Sequence, residues 1–152
     1  MLEKKTINIA VQGVGTIGKR HLMAMNENQN VNLSGIIDIS DEAKQFCDNK
    51  NIPIYENLID LRKKSEIDGV IISTPTILHY ENTLAALKLG LDVLIEKPIS
   101  ADVSEALTIA KVAEENNCKV LVGHQRRFYP LLRMAKEIVK NGEIGKIIGL
   151  SG

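Results

Sequence analysis

A glycine-spaced hexapeptide follows the first apolar stretch of the chain, an arrangement typical of a phosphate-binding loop. It reads Gly13-Val14-Gly15-Thr16-Ile17-Gly18 and comes after Thr6-Ile7-Asn8-Ile9-Ala10-Val11. In such a loop Gly13 makes the tight turn, Gly15 lets the backbone approach a pyrophosphate, and Gly18 lets the following helix pack on the strand. The N–H groups that begin the helix, among them those of Thr16 and Ile17, then face the anion. The pattern alone also fits an ordinary glycine-rich turn.

An acidic residue, Asp38, ends the next apolar stretch, twenty positions after Gly18. A carboxylate at this spacing typically accepts hydrogen bonds from both hydroxyls of an adenine ribose. A 2′-phosphate would meet a like charge there, and the following Ile39 and Ser40 offer no positive side chain to receive it. Asp38 therefore favours NAD over NADP as the cofactor. The alternative is an aspartate that only ends a strand and starts a turn.

Two hydroxyl residues and a proline, Ser73-Thr74-Pro75, come directly after the β-branched run Val70-Ile71-Ile72. Proline stops a strand, and the hydroxyls of Ser73 and Thr74 can bond to a phosphate or a ribose. His79 follows at the predicted start of a helix. The alternative is a plain turn and helix cap with a solvent-exposed histidine.

The tripeptide Glu96-Lys97-Pro98 follows another apolar run, residues 93–95. Proline keeps Lys97 out of helical geometry, so that the lysine projects from the end of a strand toward a ligand cleft. A lysine there can bind a substrate hydroxyl, polarise it or carry its proton. Glu96 can anchor the lysine or bond to a ribose. An ordinary surface ion pair at a strand end is the alternative for these three residues.

Composition argues against several other classes of function. The chain has 152 residues, enough for one domain, with Lys+Arg and Asp+Glu both at 19 and no net charge. This balance, and aromatic residues at only 3%, disfavour a nucleic-acid surface. We see neither a signal peptide nor an apolar run near the ~20 residues that span a bilayer, so we expect a cytoplasmic protein without membrane contact. Cysteine and histidine spacings predict no metal site.

Strands and helices alternate along the chain with short joints, which predicts an α/β fold with a doubly wound parallel sheet. Right-handed crossovers place helices on both faces of such a sheet, and ligands bind at the carboxyl ends of its strands. Each motif above falls at such an end. N-cap candidates precede three predicted helices: Ser40, Asn57 and Ser100. Apolar positions predict the buried face of the helix after Ser100: Val103, Leu107, Ala110 and Ala113.

Together these motifs resemble the glucose–fructose oxidoreductase, inositol dehydrogenase and rhizopine catabolism (Gfo/Idh/MocA) family. The shared pattern continues in the order of the family through Gly123-His124-Gln125-Arg126-Arg127-Phe128 and Pro130. The resemblance covers essentially the whole chain, and Glu-Lys-Pro is its most specific mark. It implies a Rossmann domain that binds NAD or, with less support, NADP. It also implies hydride transfer between the nicotinamide and a sugar or cyclitol carbon.

The resemblance further implies roles for single residues. Lys97 would contact the reacting hydroxyl, and the Lys97–Pro98 peptide bond can be cis, as in some relatives. Several side chains would line the nicotinamide and ribose half of the cofactor: Thr74, Pro75, His79, Glu96 and Gln125. Arg126 would lie near the same cleft.

Members of that family usually have more than twice this length, which predicts two parts in this chain. Residues 1–123 would form the dinucleotide-binding domain. Residues 124–152 would form a connecting helix, from Pro130 to Gly142, and the first stub of a substrate and oligomerisation domain. We expect residues 145–152 to be frayed or paired with another copy, and the full-length protein to be a homo-oligomer.

Two other functions remain open from the residues. A stand-alone nucleotide-binding regulatory module without catalysis would account for the short chain. A methyltransferase that binds S-adenosylmethionine also uses a glycine loop and an acidic residue after the second strand, but Glu96-Lys97-Pro98 speaks against it.

Overall fold

A six-stranded parallel sheet is the centre of the computed structural model, which describes residues 6–149. Its strands lie in the order β3-β2-β1-β4-β5-β6, so the direction of strand addition reverses between β1 and β4. The predicted doubly wound sheet is therefore confirmed. Ligands bind such sheets beside the point of reversal. The strands are β1 (Ile7–Gln12), β2 (Val31–Ile37), β3 (Ile54–Tyr55), β4 (Gly69–Ile72), β5 (Asp92–Ile95) and β6 (Val120–Val122).

Six α-helices connect or follow these strands. They are α1 (Thr16–Asn26), α2 (Asp41–Asp48), α3 (Leu58–Lys64), α4 (His79–Lys88), α5 (Val103–Glu115) and α6 (Pro130–Lys140). Two of the predicted caps are confirmed, because Ser40 accepts a hydrogen bond from the Ala43 N–H and Asn57 accepts one from the Asp60 N–H. Short 3₁₀ turns precede α4 and α6, at Thr76–Leu78 and Gln125–Phe128.

The hydrophobic core has one layer on each face of the sheet. All four residues of β4 are buried, as expected for a central strand that helices cover on both sides. On one face the sheet packs against α3, α4 and α5, with Leu61, Leu87 and Ile109 fully buried. On the other face α1 and α2 contribute Met25 and Cys47.

The start of α5 and its buried face differ from the prediction. Asp102, not Ser100, is the N-cap and accepts a hydrogen bond from the Ser104 N–H, while the Ser100 hydroxyl donates to the Asp102 carbonyl oxygen at 2.7 Å. Of the four predicted positions only Ala113 is buried, together with Ile109, whereas Ala110 is exposed and Val103 and Leu107 are 75% and 68% exposed. The helix carries two apolar stripes, one that contains Val103 and Leu107 and one that contains Ile109 and Ala113. The second stripe packs in the core layer that also contains α4.

The last helix, α6, begins at Pro130 as predicted, and Gly142 follows its end with a φ of +74°. Its apolar side chains are exposed: Leu131, Leu132, Met134 and Val139. Residues 143–149, in the predicted stub, contain turns and no strand, and Leu150 to Gly152 lie outside the described residues. Between residues 6 and 149, no helix has the length and apolar character needed to cross a membrane.

The two stripes of α5 give a matched test of the core. Ile109→Ala should lower the free energy of unfolding by about 2–5 kcal/mol, because it leaves a cavity in a closed layer. Leu107→Ala removes an exposed side chain and should change it by only about 0.5 kcal/mol. Urea unfolding followed by circular dichroism measures both, and equal losses would contradict the observed orientation of α5.

Candidate functional site

The sequence motifs meet at one edge of the sheet, where its parallel strands end. Backbone hydrogen bonds hold the segments that leave neighbouring strands in register at this edge. The Gly13 N–H donates to the Ile37 carbonyl oxygen at 2.9 Å, and the Ser73 N–H donates to the Gln12 carbonyl oxygen at 2.9 Å. The Gly123 N–H continues the series by donating to Ile95 at 2.8 Å. The segments after β1, β2, β4, β5 and β6 therefore border a single cleft.

Each glycine of the loop has a distinct structural reason. Gly13 has a φ of +88°, and a Cβ there would lie 2.8 Å from the Thr74 nitrogen. A Cβ on Gly18 would lie 2.0 Å from the Gly13 carbonyl oxygen, so Gly18 is in contact with the loop itself. A Cβ on Gly15 would have nothing within 4 Å. Gly15 is the N-cap of α1, so this open space lies beside the first-turn N–H groups, which have no acceptor within a helix. An anion can approach there.

Ser73 holds the glycine loop in place. Its hydroxyl donates to the Gly13 carbonyl oxygen at 2.7 Å, and a Cβ on Gly18 would lie 2.9 Å from the same hydroxyl oxygen. The hydroxyl hydrogen is thus used inside the protein, and only its oxygen lone pairs can face a phosphate or ribose. Ser73 therefore supports the glycine loop, and its expected bond to a phosphate or ribose stays a prediction.

Asp38 links the end of β2 to the glycine loop. One carboxylate oxygen accepts from the Val14 N–H at 2.8 Å, and the other accepts from the Ser40 N–H at 2.9 Å and the Ser40 hydroxyl at 2.8 Å. Burial alone would raise the pKa of Asp38, but the hydrogen bonds from Ser40, Val14 and Ile39 outweigh it, so the pKa lies below its ordinary value. An ionised carboxylate therefore lies beside the loop, and the oxygen that accepts only from the Val14 N–H retains a lone pair for a ligand.

His79 is buried, with 1% of its surface exposed, which excludes the exposed histidine considered from the sequence. Its Nδ1 lies 2.8 Å from the Pro98 carbonyl oxygen, and its Nε2 lies 2.9 Å from the Thr74 carbonyl oxygen. A neutral imidazole carries one N–H, so it donates to only one of these two carbonyl oxygens at a time. His79 thus joins the segments that follow β4 and β5, and its expected place beside the cofactor stays a prediction. The Thr74 hydroxyl accepts from the Asn82 amide at 3.1 Å, and Pro75 precedes the 3₁₀ turn.

The segment Glu96-Lys97-Pro98 lies at the end of β5, and its Lys97–Pro98 peptide bond is cis. The Lys97 side chain is exposed at the edge of the sheet. Glu96 is half-buried, and its Oε1 lies 3.0 Å from Nε2 of His21, a residue of α1 that the sequence analysis missed. Its position in the sequence could have indicated this, because His21 comes three residues after Gly18 and so lies on the same side of α1.

Gln125 and Arg126 lie in the 3₁₀ turn that follows β6, at the same edge of the sheet. Both side chains are exposed. Within the described part of the chain, neither side chain forms a hydrogen bond to the other site residues. The structure thus brings them to the cleft without fixing them in it.

Comparison with known proteins identifies the group to which this arrangement belongs. The model of the Gfo/Idh/MocA family, an oxidoreductase family with an NAD-binding Rossmann fold, matches residues 7–124. The chain belongs to the Gfo/Idh/MocA family. Its described domain corresponds to the NAD-binding Rossmann fold of that family, as the resemblance of the motifs implied.

Individual relatives agree with this assignment. The rhizopine catabolism protein MocA of Rhizobium meliloti is 29% identical over 139 residues, which cover 91% of this chain and 44% of MocA. The myo-inositol 2-dehydrogenase of Lactobacillus plantarum has 34% identity and a TM-score of 0.86 over 95% of this chain and 44% of its own. The scyllo-inositol dehydrogenase of Lactobacillus casei, solved with bound NAD(H) and scyllo-inositol, has 30% identity and a TM-score of 0.83, covering 94% and 43%. This chain therefore spans less than half of these relatives.

Two glycines of the loop allow a test that separates folding from ligand access. Gly18→Ala should lower the free energy of unfolding by about 4 kcal/mol or more, since its Cβ would overlap the Gly13 carbonyl oxygen. Gly15→Ala should cost about 1 kcal/mol or less, because its Cβ meets nothing, yet it fills the open space beside α1. We expect Gly15→Ala to weaken NADH binding at least about tenfold in a folded protein. Unchanged NADH affinity in Gly15→Ala would contradict the assignment of that space to the pyrophosphate.

Proposed function

We propose that this chain is the cofactor-binding half of an NAD-dependent dehydrogenase. The whole enzyme would transfer a hydride between the nicotinamide and a hydroxyl-bearing carbon of a sugar, sugar derivative or cyclitol. The observation that carries the proposal is the open space at Gly15, which lies between the start of α1 and a loop hydrogen-bonded to Asp38. Lys97 is exposed at the same edge.

The residues present fit a dinucleotide. A pyrophosphate requires a backbone without a Cβ and a row of free N–H groups, which Gly15, Thr16 and Ile17 supply at the start of α1. An adenine ribose requires an ionised acceptor close to that loop, and Asp38 is one. Thr74, Pro75 and Gln125 border the remainder of the cleft. When bound, the nicotinamide supplies the hydride chemistry.

NAD is the proposed form of the cofactor because Asp38 stays ionised. Its carboxylate is already hydrogen-bonded to the Ser40 hydroxyl, so Ser40 has no hydrogen left to donate to a 2′-phosphate. Ile39 offers that phosphate nothing polar in its side chain. A 2′-phosphate would therefore place a second negative charge beside Asp38 without compensation.

Lys97 is proposed to hold the reacting hydroxyl of the substrate. Its ammonium can orient that hydroxyl by a hydrogen bond, whereas only the free amine, which has a lone pair, can take up the hydroxyl proton as the carbon is oxidised. The scyllo-inositol bound to the Lactobacillus casei relative supports a polyol as substrate class. The exposed apolar face of α6 supports a connecting role for residues 124–152, which we propose lead into a substrate domain. We also propose that the full-length protein is a cytoplasmic homo-oligomer.

A titration of the chain with NADH, followed by nicotinamide fluorescence, tests the cofactor proposal. We expect saturable binding, and at least about tenfold weaker binding of NADPH, because of the charge on Asp38. Asp38→Asn should reduce the difference between the affinities for NADH and NADPH. Absence of binding at about millimolar NADH in a folded sample would refute the proposal, since this corresponds to only about 4 kcal/mol of binding free energy. NADPH binding equal to or tighter than NADH binding would refute the preference.

The role of Lys97 has a separate test. Lys97→Ala should leave the NADH affinity of this chain within about twofold, because the lysine contacts the substrate and not the pyrophosphate. The same substitution should abolish dehydrogenase activity in the full-length protein. Lys64→Ala, at the end of α3, is the matched control and should affect neither property. Loss of NADH binding in Lys97→Ala would show that the lysine has been given the wrong role.

A further inference from the structure

The Glu96 carboxylate is held from three directions at the point where β5 ends. Nε2 of His21 lies 3.0 Å from Oε1, and the Lys97 N–H donates to Oε2 at 3.2 Å. Gly123, after β6, lies against the same carboxylate, because a Cβ there would be 3.0 Å from Oε1 and 3.2 Å from Oε2. One side chain thus joins α1, the end of β5 and the end of β6.

The contact between His21 and Glu96 is shielded from solvent. The two side chains are only 21% and 12% exposed, although 75 positions separate them in the sequence. A hydrogen bond to a carboxylate in such a place is stronger than one between exposed side chains. Nε2 can donate both in the neutral ring that carries its hydrogen there and in the imidazolium.

We propose that His21 is a positioning residue for Lys97. By donating to Oε1 it fixes the Glu96 carboxylate, and Oε2 of that carboxylate fixes the Lys97 N–H. The reaction assigned to Lys97 rests on the proposed function, whereas the chain of contacts does not. Gly123 belongs to this arrangement because a larger residue would push the carboxylate away.

The link through Glu96 connects the helix beside the proposed cofactor site to the residue proposed to bind the substrate. The first turn of α1 adjoins the proposed pyrophosphate site, and His21 lies further along the same helix. Lys97 is the residue proposed to meet the substrate hydroxyl. Hydride transfer tolerates little error in the distance between cofactor and substrate. The link through Glu96 sets the Lys97 backbone relative to the helix that carries the cofactor, while His79 holds the adjoining Pro98 from the other side.

Residue-resolved amide hydrogen exchange of the chain without cofactor tests the link. His21→Leu removes the donor, and we expect the Lys97 amide to exchange about fivefold faster, because its acceptor is no longer held. The amides of Val93 and Ser73, bonded within the sheet, should stay within about twofold. His21→Gln, whose amide nitrogen can occupy the place of Nε2, should restore the slow exchange. Arg20→Ala is the control on the same helix and should leave Lys97 unchanged.

Three results would overturn the proposal: unchanged Lys97 exchange in His21→Leu, an equal rise at Val93 and Ser73, or the same rise in Arg20→Ala. Glu96→Gln is a second variant in case His21→Leu does not fold. It weakens the acceptor and must also speed exchange selectively at Lys97, so no change there would contradict the link. The exchange experiment uses the chain without cofactor. A negative result in it would therefore not count against NADH binding, and failure to bind NADH would not count against the link through Glu96.

Discussion

The close approach of Gly18 to the Gly13 carbonyl oxygen is the constraint on which the site depends. Because Gly18 has no side chain, α1 packs against the loop that follows β1, and its first-turn N–H groups face the edge of the sheet. Ser73, after β4, and Asp38, after β2, each form a hydrogen bond to the backbone of this turn. A larger residue at Gly18 would move the helix, and with it the anion site, Asp38 and the link to Glu96.

Several polar side chains around the cleft form contacts within the protein that hold its segments together. The His79 ring lies between two backbone carbonyl oxygens, and Ser73 donates its hydrogen to the glycine loop. The groups that we propose face a ligand include the backbone of Gly15, the carboxylate of Asp38 and the ammonium of Lys97. This division is physically reasonable, because loops at the end of a parallel sheet have few backbone bonds of their own, and side chains must hold them.

The sequence predicted the features that depend on local chemistry. The β-branched run of β4, the caps Ser40 and Asn57, and the glycine spacing all follow from short-range rules, and the structure has them. Three of the four positions predicted for the buried face of α5 were wrong because two apolar stripes satisfy the same spacing, and only packing chooses between them. The contacts of His79 and His21 were missed because their partners, Pro98 and Glu96, are distant in sequence and become neighbours only when the strands align.

The central claim is that this edge of the sheet binds a dinucleotide, and chemical-shift mapping by NMR tests it most directly. On addition of NADH to the chain, the account predicts that the largest changes in amide shifts occur at Gly13 to Gly18, at Asp38 and around Thr74 and Lys97. The groove between α1 and α2, lined by Leu22, Phe46 and Ile52, should be unaffected. Changes centred on that groove, or none at the glycine loop under saturating NADH, would contradict the account.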